Sequence, residues 1–207
     1  SFAVAASLWV ISSAPAEANW TATGRFTYVD REYNQTGFTG VEPQRSIRYA
    51  DVHILDSKNK ILASGATDPN GNYSIFVVDS LTRKVYARVT SRSLNTSTLF
   101  IDVQSNDSGS IKYYAVSTPQ VLNHNPNTNL NFGTMAAAKG QGGEAFNIFD
   151  QMVRGADYIA SLRGSRPGAA DDLTAVWASS RGITDSGYTY ASRKISLRDT
   201  AGYDDNP

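Results

Sequence analysis

At 207 residues the chain has room for one large domain or two small ones. Its 41% apolar residues suffice for a real core, while 19 Lys plus Arg against 19 Asp plus Glu leave no net charge, which argues against a nucleic-acid partner. The absence of cysteine excludes disulfides, thiol catalysis and thiolate metal sites.

The first twenty residues stand apart. Phe2 to Ile11 is apolar except for Ser7, and Ala14-Pro15-Ala16 and Ala16-Glu17-Ala18 follow it. Such a run followed by small-x-small steps resembles a secretory signal, which places the protein outside the cell or on its surface. The run is shorter than the ~20 apolar residues of a transmembrane helix, so no membrane span is expected. Written as a strand, Phe2, Val4, Leu8 and Val10 share one face and Trp9 lies on the other. A strand that is apolar on both faces belongs inside a sheet or between layers. These residues (Phe2, Val4, Leu8, Trp9, Val10) are therefore expected to form an assembly strand donated to another copy of the chain, in a head-to-tail filament.

From Thr21 the pattern changes to short alternating strands. Gly24–Val29, Tyr49–Asp56, Lys60–Ala63, Tyr73–Val77, Lys84–Val89, Leu99–Val103 and Ile111–Val116 are separated by turn residues. Asp68-Pro69-Asn70-Gly71 is a strong turn signal, because proline presets one φ and Asn-Gly accepts positive φ. Many short strands without a helix predict a β-sandwich with Val52, Ile54, Ile75, Val77, Val85 and Val89 facing one core. Asp68, Asn70 and Asn72 alternate like calcium ligands. Gly71 and Asp79, however, do not fit the glycine and glutamate positions of an EF-hand loop, so a plain turn is expected.

Gly24-Arg25-Phe26, Ala50–Asp56 and Gly65–Ser74 resemble the transthyretin-like domain that accompanies carboxypeptidases. The resemblance covers roughly Thr21 to Thr118. It implies an Ig-like sandwich in which the Thr-Asp-x-x-Gly-x-Tyr stretch is a structural hairpin and not a site.

Asn-x-Ser/Thr occurs at Asn19, Asn34, Asn72, Asn95 and Asn106, the candidate glycosylation sites. Pro119 to Gly143 is rich in asparagine and weakly patterned, with Leu130 and Phe132 as one further strand. Met135 to Gly143 reads as a linker. His53 falls in a strand and His124 in the Asn-rich loop, too far apart in sequence to suggest zinc.

Glu144 to Leu162 is the one convincing helix, with Phe146, Phe149, Met152, Val153, Ala156, Ile159 and Ala160 at three- and four-residue spacing. Gly164 and Pro167 end it. Leu173–Trp177, Gly187–Tyr190 and Lys194–Leu197 read as strands. Trp177, Tyr188 and Tyr190 are candidate sugar-stacking rings in an adhesin reading. Ala145–Asp150, Leu173–Trp177, Ser186–Tyr188, Ile195–Leu197 and Tyr203-Asp204-Asp205 together are similar to the opening of secreted bacterial zinc-peptidase-like domains. In those relatives a His-Glu-x-x-His helix follows, its histidines holding zinc and its glutamate activating water. This sequence contains no His-Glu-x-x-His. It has no Gly-x-Ser-x-Gly elbow, phosphate loop or dinucleotide fingerprint either, so no catalytic, metal or cofactor-binding residue is named. Asp171-Asp172 and Asp204-Asp205 read as solvated pairs.

The expected architecture is mainly β with a smaller α/β part: an apolar segment at 1–20, a transthyretin-like sandwich at 21–134, a linker at 135–143 and a helix-plus-strands region at 144–207. The expected function is that of an extracellular structural subunit without enzymatic activity. The alternative is the non-catalytic N-terminal portion of a secreted zinc peptidase, or a glycan-binding adhesin module.

Overall fold

A computed structural model describes residues 18–93, 99–106, 109–177 and 185–198. The expected assembly strand at Phe2, Val4, Leu8, Trp9 and Val10, the sequon at Asn95 and the pair Asp204-Asp205 lie outside the described residues.

The protein is mainly β with one α-helix among the described residues. The first sheet is organised by β1 (Asn19–Val29), an 11-residue strand. One edge of β1 pairs antiparallel with β7 (Asn72–Val78) and then with β4 (Gln44–Ser46). The other edge takes β13 (Leu130–Ala137) in parallel. The second sheet runs β6 (Ile61–Ala66), β5 (Asp51–Asp56), β8 (Arg83–Thr90) and β11 (Ala115–Ser117), with β12 (Val121–His124) also on β8. The third is mixed: β15 (Gly187–Thr189), β16 (Lys194–Ser196), β14 (Leu173–Val176), β10 (Ile101–Gln104) and β9 (Arg92–Ser93). β2 (Tyr33–Asn34) and β3 (Gly37–Phe38) form a separate hairpin.

Period-two patterning explains the inner faces. Along β7, Tyr73, Ile75 and Val77 are buried while Asn72, Ser74, Phe76 and Val78 are exposed. Val52, Ile54, Ile75, Val77, Val85 and Val89, expected to share a core, are all at most 5% exposed and belong to one hydrophobic cluster. Each contributes roughly 1.5–3 kcal/mol by leaving water.

The Asp68–Asn72 turn is held by its own carboxylate. Asp68 Oδ1 accepts the backbone N–H groups of Asn70 (2.7 Å) and Asn72 (2.8 Å). Gly71 has φ 78°, and a Cβ there would stand 2.5 Å from the Phe26 carbonyl oxygen. Gly71→Ala is therefore expected to cost about 1–3 kcal/mol, through both positive φ and that clash. Urea denaturation would check it, and an unchanged midpoint would mean that neither the positive φ nor the approach to Phe26 constrains this position.

α1 (Gly143–Arg163) matches the periodic stretch. It ends at Gly164, whose φ of 79° lets its N–H reach the Ala160 carbonyl. Ala145, Phe146, Phe149 and Val153 are fully buried and join the same cluster as Trp20, Phe26 and Tyr28 of β1.

Several expectations are corrected here. β13 continues to Ala137, into the expected linker, because parallel pairing with β1 extends to Tyr28↔Ala137. Buried residues on both sides of 135–143 belong to one hydrophobic cluster. β10, expected in the sandwich, pairs in parallel with β14 from the C-terminal third, Ile101↔Leu173 through Gln104↔Val176. The strand expected at Ile111–Val116 shortens to Ala115–Ser117. His124 is not in a loop: it ends β12, only 6% exposed, with its ring 4.2 Å from that of Trp20.

Candidate functional site

The helix carries more than one apolar stripe. Besides its core face, Ile148, Met152, Ala156 and Ile159 form a second row at three- and four-residue spacing. They make one wall of a cleft of about 920 Å³. The opposite wall comes from the third sheet and its approaches: Leu99, Ile101, Leu173, Ala175, Ile195 and Leu197. Alternation along β10 and β14 places Ile101, Leu173 and Ala175 on this side and Asp102 and Thr174 on the other. The mouth holds Arg163, Asp171, Asp172, Tyr188, Tyr190 and Arg193. Arg193 is tied to Asp172 at 3.0 Å and donates to the Ala170 carbonyl.

This volume, apolar within and polar at the mouth, falls in the size range of small-molecule clefts. Among the described residues its lining contains no histidine, serine, threonine or lysine. The arrangement can take up apolar surface, with carboxylate, guanidinium and phenol groups at its mouth.

Behind the cleft, a buried ionic network joins α1 to the β-rich half. Asp150, 3% exposed, accepts the Tyr28 hydroxyl (3.1 Å), the Arg48 guanidinium (2.6 and 2.7 Å) and Arg154 Nε (3.1 Å). Burial and the Asp150 carboxylate push the Tyr28 phenol far above its ordinary range. Arg48 also reaches Asp157 (3.1 Å), which binds Arg166, and Arg166 stacks on the Tyr49 ring at 4.2 Å. Asn147, 1% exposed, donates to Asp30 (3.2 Å). This network was not legible in the sequence. The only signal was an Asn147/Asp150/Arg154/Asp157 row at helical spacing, which reads equally well as a solvated face.

Burial raises the pKa of the Asp102 carboxylate above the ordinary carboxylate value. Hydrogen bonds from Thr174 (3.2 Å) and Gln104 (2.9 and 3.1 Å) work against that shift. It faces away from the cleft, so it is a structural group at the β10–β14 seam.

The remaining sequence-named residues are dispersed. His53 is bonded to Ser64 Oγ at 2.8 Å. The Asp68 carboxylate is occupied by the turn's own N–H groups and by the Asn72 amide, so its oxygens serve the turn. No group of three or more metal-ligating side chains is found among the described residues. Trp177 is 7% exposed, with its carbonyl accepting the Tyr114 hydroxyl, so it cannot stack on a sugar. Tyr188 and Tyr190 are 54% and 86% exposed at the cleft mouth. Of the sequons, Asn19 opens β1, Asn34 sits in the β2–β3 hairpin, Asn72 opens β7, and Asn106 follows β10.

Burial lowers the pKa of both His53 and His124 below the ordinary 6.5. In that window the unfolded chain binds more protons than the folded one, so stability falls as pH drops below about 6.5. The melting temperature is therefore expected to decrease on going from pH 7.5 to 5.5. His124→Phe, which keeps a ring against Trp20, should flatten the slope. An unchanged slope would show that His124 is not the source.

No family model matches the chain, and no curated protein is similar to it in sequence. Among solved structures it is similar to a 9R-lipoxygenase from Cyanothece PCC8801, with 16% identity and a TM-score of 0.32. The likeness covers 64% of this chain and 18% of that one. No helix among the described residues is long and apolar enough to cross a membrane.

Proposed function

We propose that this chain is the non-catalytic N-terminal portion of a secreted zinc-peptidase-like protein. In this reading a transthyretin-like sandwich is fused to an α/β half that offers an apolar cleft to further protein. One observation carries it. The stretches that resemble the peptidase-like opening are distant in sequence, yet they supply the walls of one cleft: Ile148 from α1, Leu173 and Ala175 from β14, Tyr188 from β15, Ile195 and Leu197 from around β16. The sandwich braces that half through a shared core and through Asp150, which suits a supporting module.

The test is intact-mass and zinc analysis of the native polypeptide. The expected result is a polypeptide that carries a His-Glu-x-x-His helix and binds one zinc, while the 207-residue chain alone binds none stoichiometrically. A native polypeptide ending near Pro207 would overturn this reading. So would one stoichiometric zinc held by the 207-residue chain itself.

A second reading, a subunit of an extracellular fibre, is favoured by the position of β15 at the end of its sheet beside the cleft. A donated strand bearing Phe2, Val4, Leu8, Trp9 and Val10 would hydrogen-bond to that edge. Electron microscopy of native material decides it: fibres that vanish when Ser1–Ser13 is deleted are required.

A further inference from the structure

Five sequons look equivalent in sequence, and the fold makes them unequal. We infer that Asn34 is the N-glycosylation site of the folded chain. This rests on the secreted reading only for whether the chain meets the machinery in nature.

Transfer to asparagine replaces one Nδ2–H by a bond to the anomeric carbon of a lipid-pyrophosphate-linked saccharide. The pyrophosphate leaves with the electron pair of the anomeric bond, and a base of the transferase takes the amide proton. The acceptor must therefore offer a free Nδ2 and backbone that can enter an enzyme groove, with the sequon's hydroxyl accessible two residues on.

Asn34 meets these needs. Its Oδ1 accepts both the Thr36 N–H (2.9 Å) and the Thr36 hydroxyl (2.7 Å), so the two functional groups of the sequon already touch. Its Nδ2 has no partner among the described residues. Asn34, Gln35 and Thr36 are all exposed. They sit at the tip of a hairpin with only two residues per strand, paired as Tyr33↔Phe38 and Asn34↔Gly37. So short a ladder opens locally at small cost.

The other sequons whose asparagine is described fail on specific grounds. The Asn72 Nδ2 donates to the Asp68 carboxylate (3.2 Å), and its sequon contains Tyr73, 4% exposed. The Asn106 Nδ2 donates to the Ser110 carbonyl (2.7 Å) while its Oδ1 accepts the Lys112 N–H (2.9 Å). Asn19 begins β1, where Trp20 is 1% exposed, and presenting that sequon would pull an indole from the core.

The experiment uses the folded chain, a purified oligosaccharyltransferase and a lipid-linked oligosaccharide, with occupancy read by peptide-mapping mass spectrometry. Synthetic peptides spanning each sequon calibrate the enzyme. On the folded chain Asn34 should exceed Asn19, Asn72 and Asn106 by roughly tenfold or more relative to their peptides, since every ~1.4 kcal/mol of opening removes about a factor of ten. Thr36→Ala should abolish Asn34 occupancy without changing the melting temperature, and Thr36→Ser should retain it. Equal occupancy of the four described sites, or modification of Asn72 or Asn106 ahead of Asn34, overturns the inference. Modification of Asn34 in this assay but not in native material leaves the geometry standing and counts against the secreted reading instead.

Discussion

Phe149→Ala is expected to lower the unfolding free energy by about 3–5 kcal/mol, because removing most of a buried aromatic side chain loses its transfer energy and leaves a cavity. Phe149 is fully buried on the inner face of α1, in one hydrophobic cluster with Phe26, Tyr28 and Val89. The energetic consequence extends beyond the helix. If one core unites both halves, heat or urea should unfold them in a single transition, and the variant should move that transition as a whole. Tryptophan fluorescence in a Trp9→Phe/Trp177→Phe background, where Trp20 alone reports on the β-rich half, and far-ultraviolet circular dichroism, in which α1 dominates the helical signal, would check this. Two separated transitions, with only the helical one shifted by Phe149→Ala, would mean that the boundary expected at 135–143 is an energetic boundary after all.

Arg48→Met should cost about 3 kcal/mol or more, because it leaves a buried carboxylate short of its main partner. Asp150 is 3% exposed, and Arg48 is its closest cation, at 2.6 Å. Arg154 remains at 3.1 Å, but its side chain is half exposed, so solvent weakens that pair. The methionine keeps the apolar stem and loses only the guanidinium, which isolates the charge effect from packing. The double variant Arg48→Met/Asp150→Leu should recover most of the loss, since removing both charges removes the desolvation penalty too. Denaturant midpoints for both single variants and the double variant close the cycle. Strict additivity would show that the two side chains do not interact energetically.

These variants also bear on the cleft. The network fixes α1 from behind while the second apolar row of the helix faces the third sheet. A helix allowed to rotate by a fraction of a turn would turn its second apolar row away from the third sheet and change the cleft wall. Loss of Arg48 is therefore expected to alter apolar-dye binding as well as stability.

The sequence by itself determined the local elements, and did so through periodicity. Alternation at Tyr73–Val77 fixed which side chains turn inward, and the 3.6-residue recurrence from Phe146 to Ile159 fixed α1 almost to its ends, whereas β5 is buried on both faces despite its alternating sequence. Asp-Pro-Asn-Gly fixed the turn, because only glycine fits beside the Phe26 carbonyl at positive φ. Only the tertiary structure decided which strands meet. β1 pairs with β13, and β10 with β14, in parallel and with other strands (and α1, for β10 and β14) between them in the chain, where no turn chemistry records the partner. A charge on a helix looks the same in sequence whether it meets water or a guanidinium on another element. Asp150 and His124, both polar by composition, were thus legible only once β1, Arg48 and Trp20 had been brought against them. The same holds for the five sequons: the motif is local, but whether the amide is free or already spent on a neighbour depends on the turn or strand in which the fold places it.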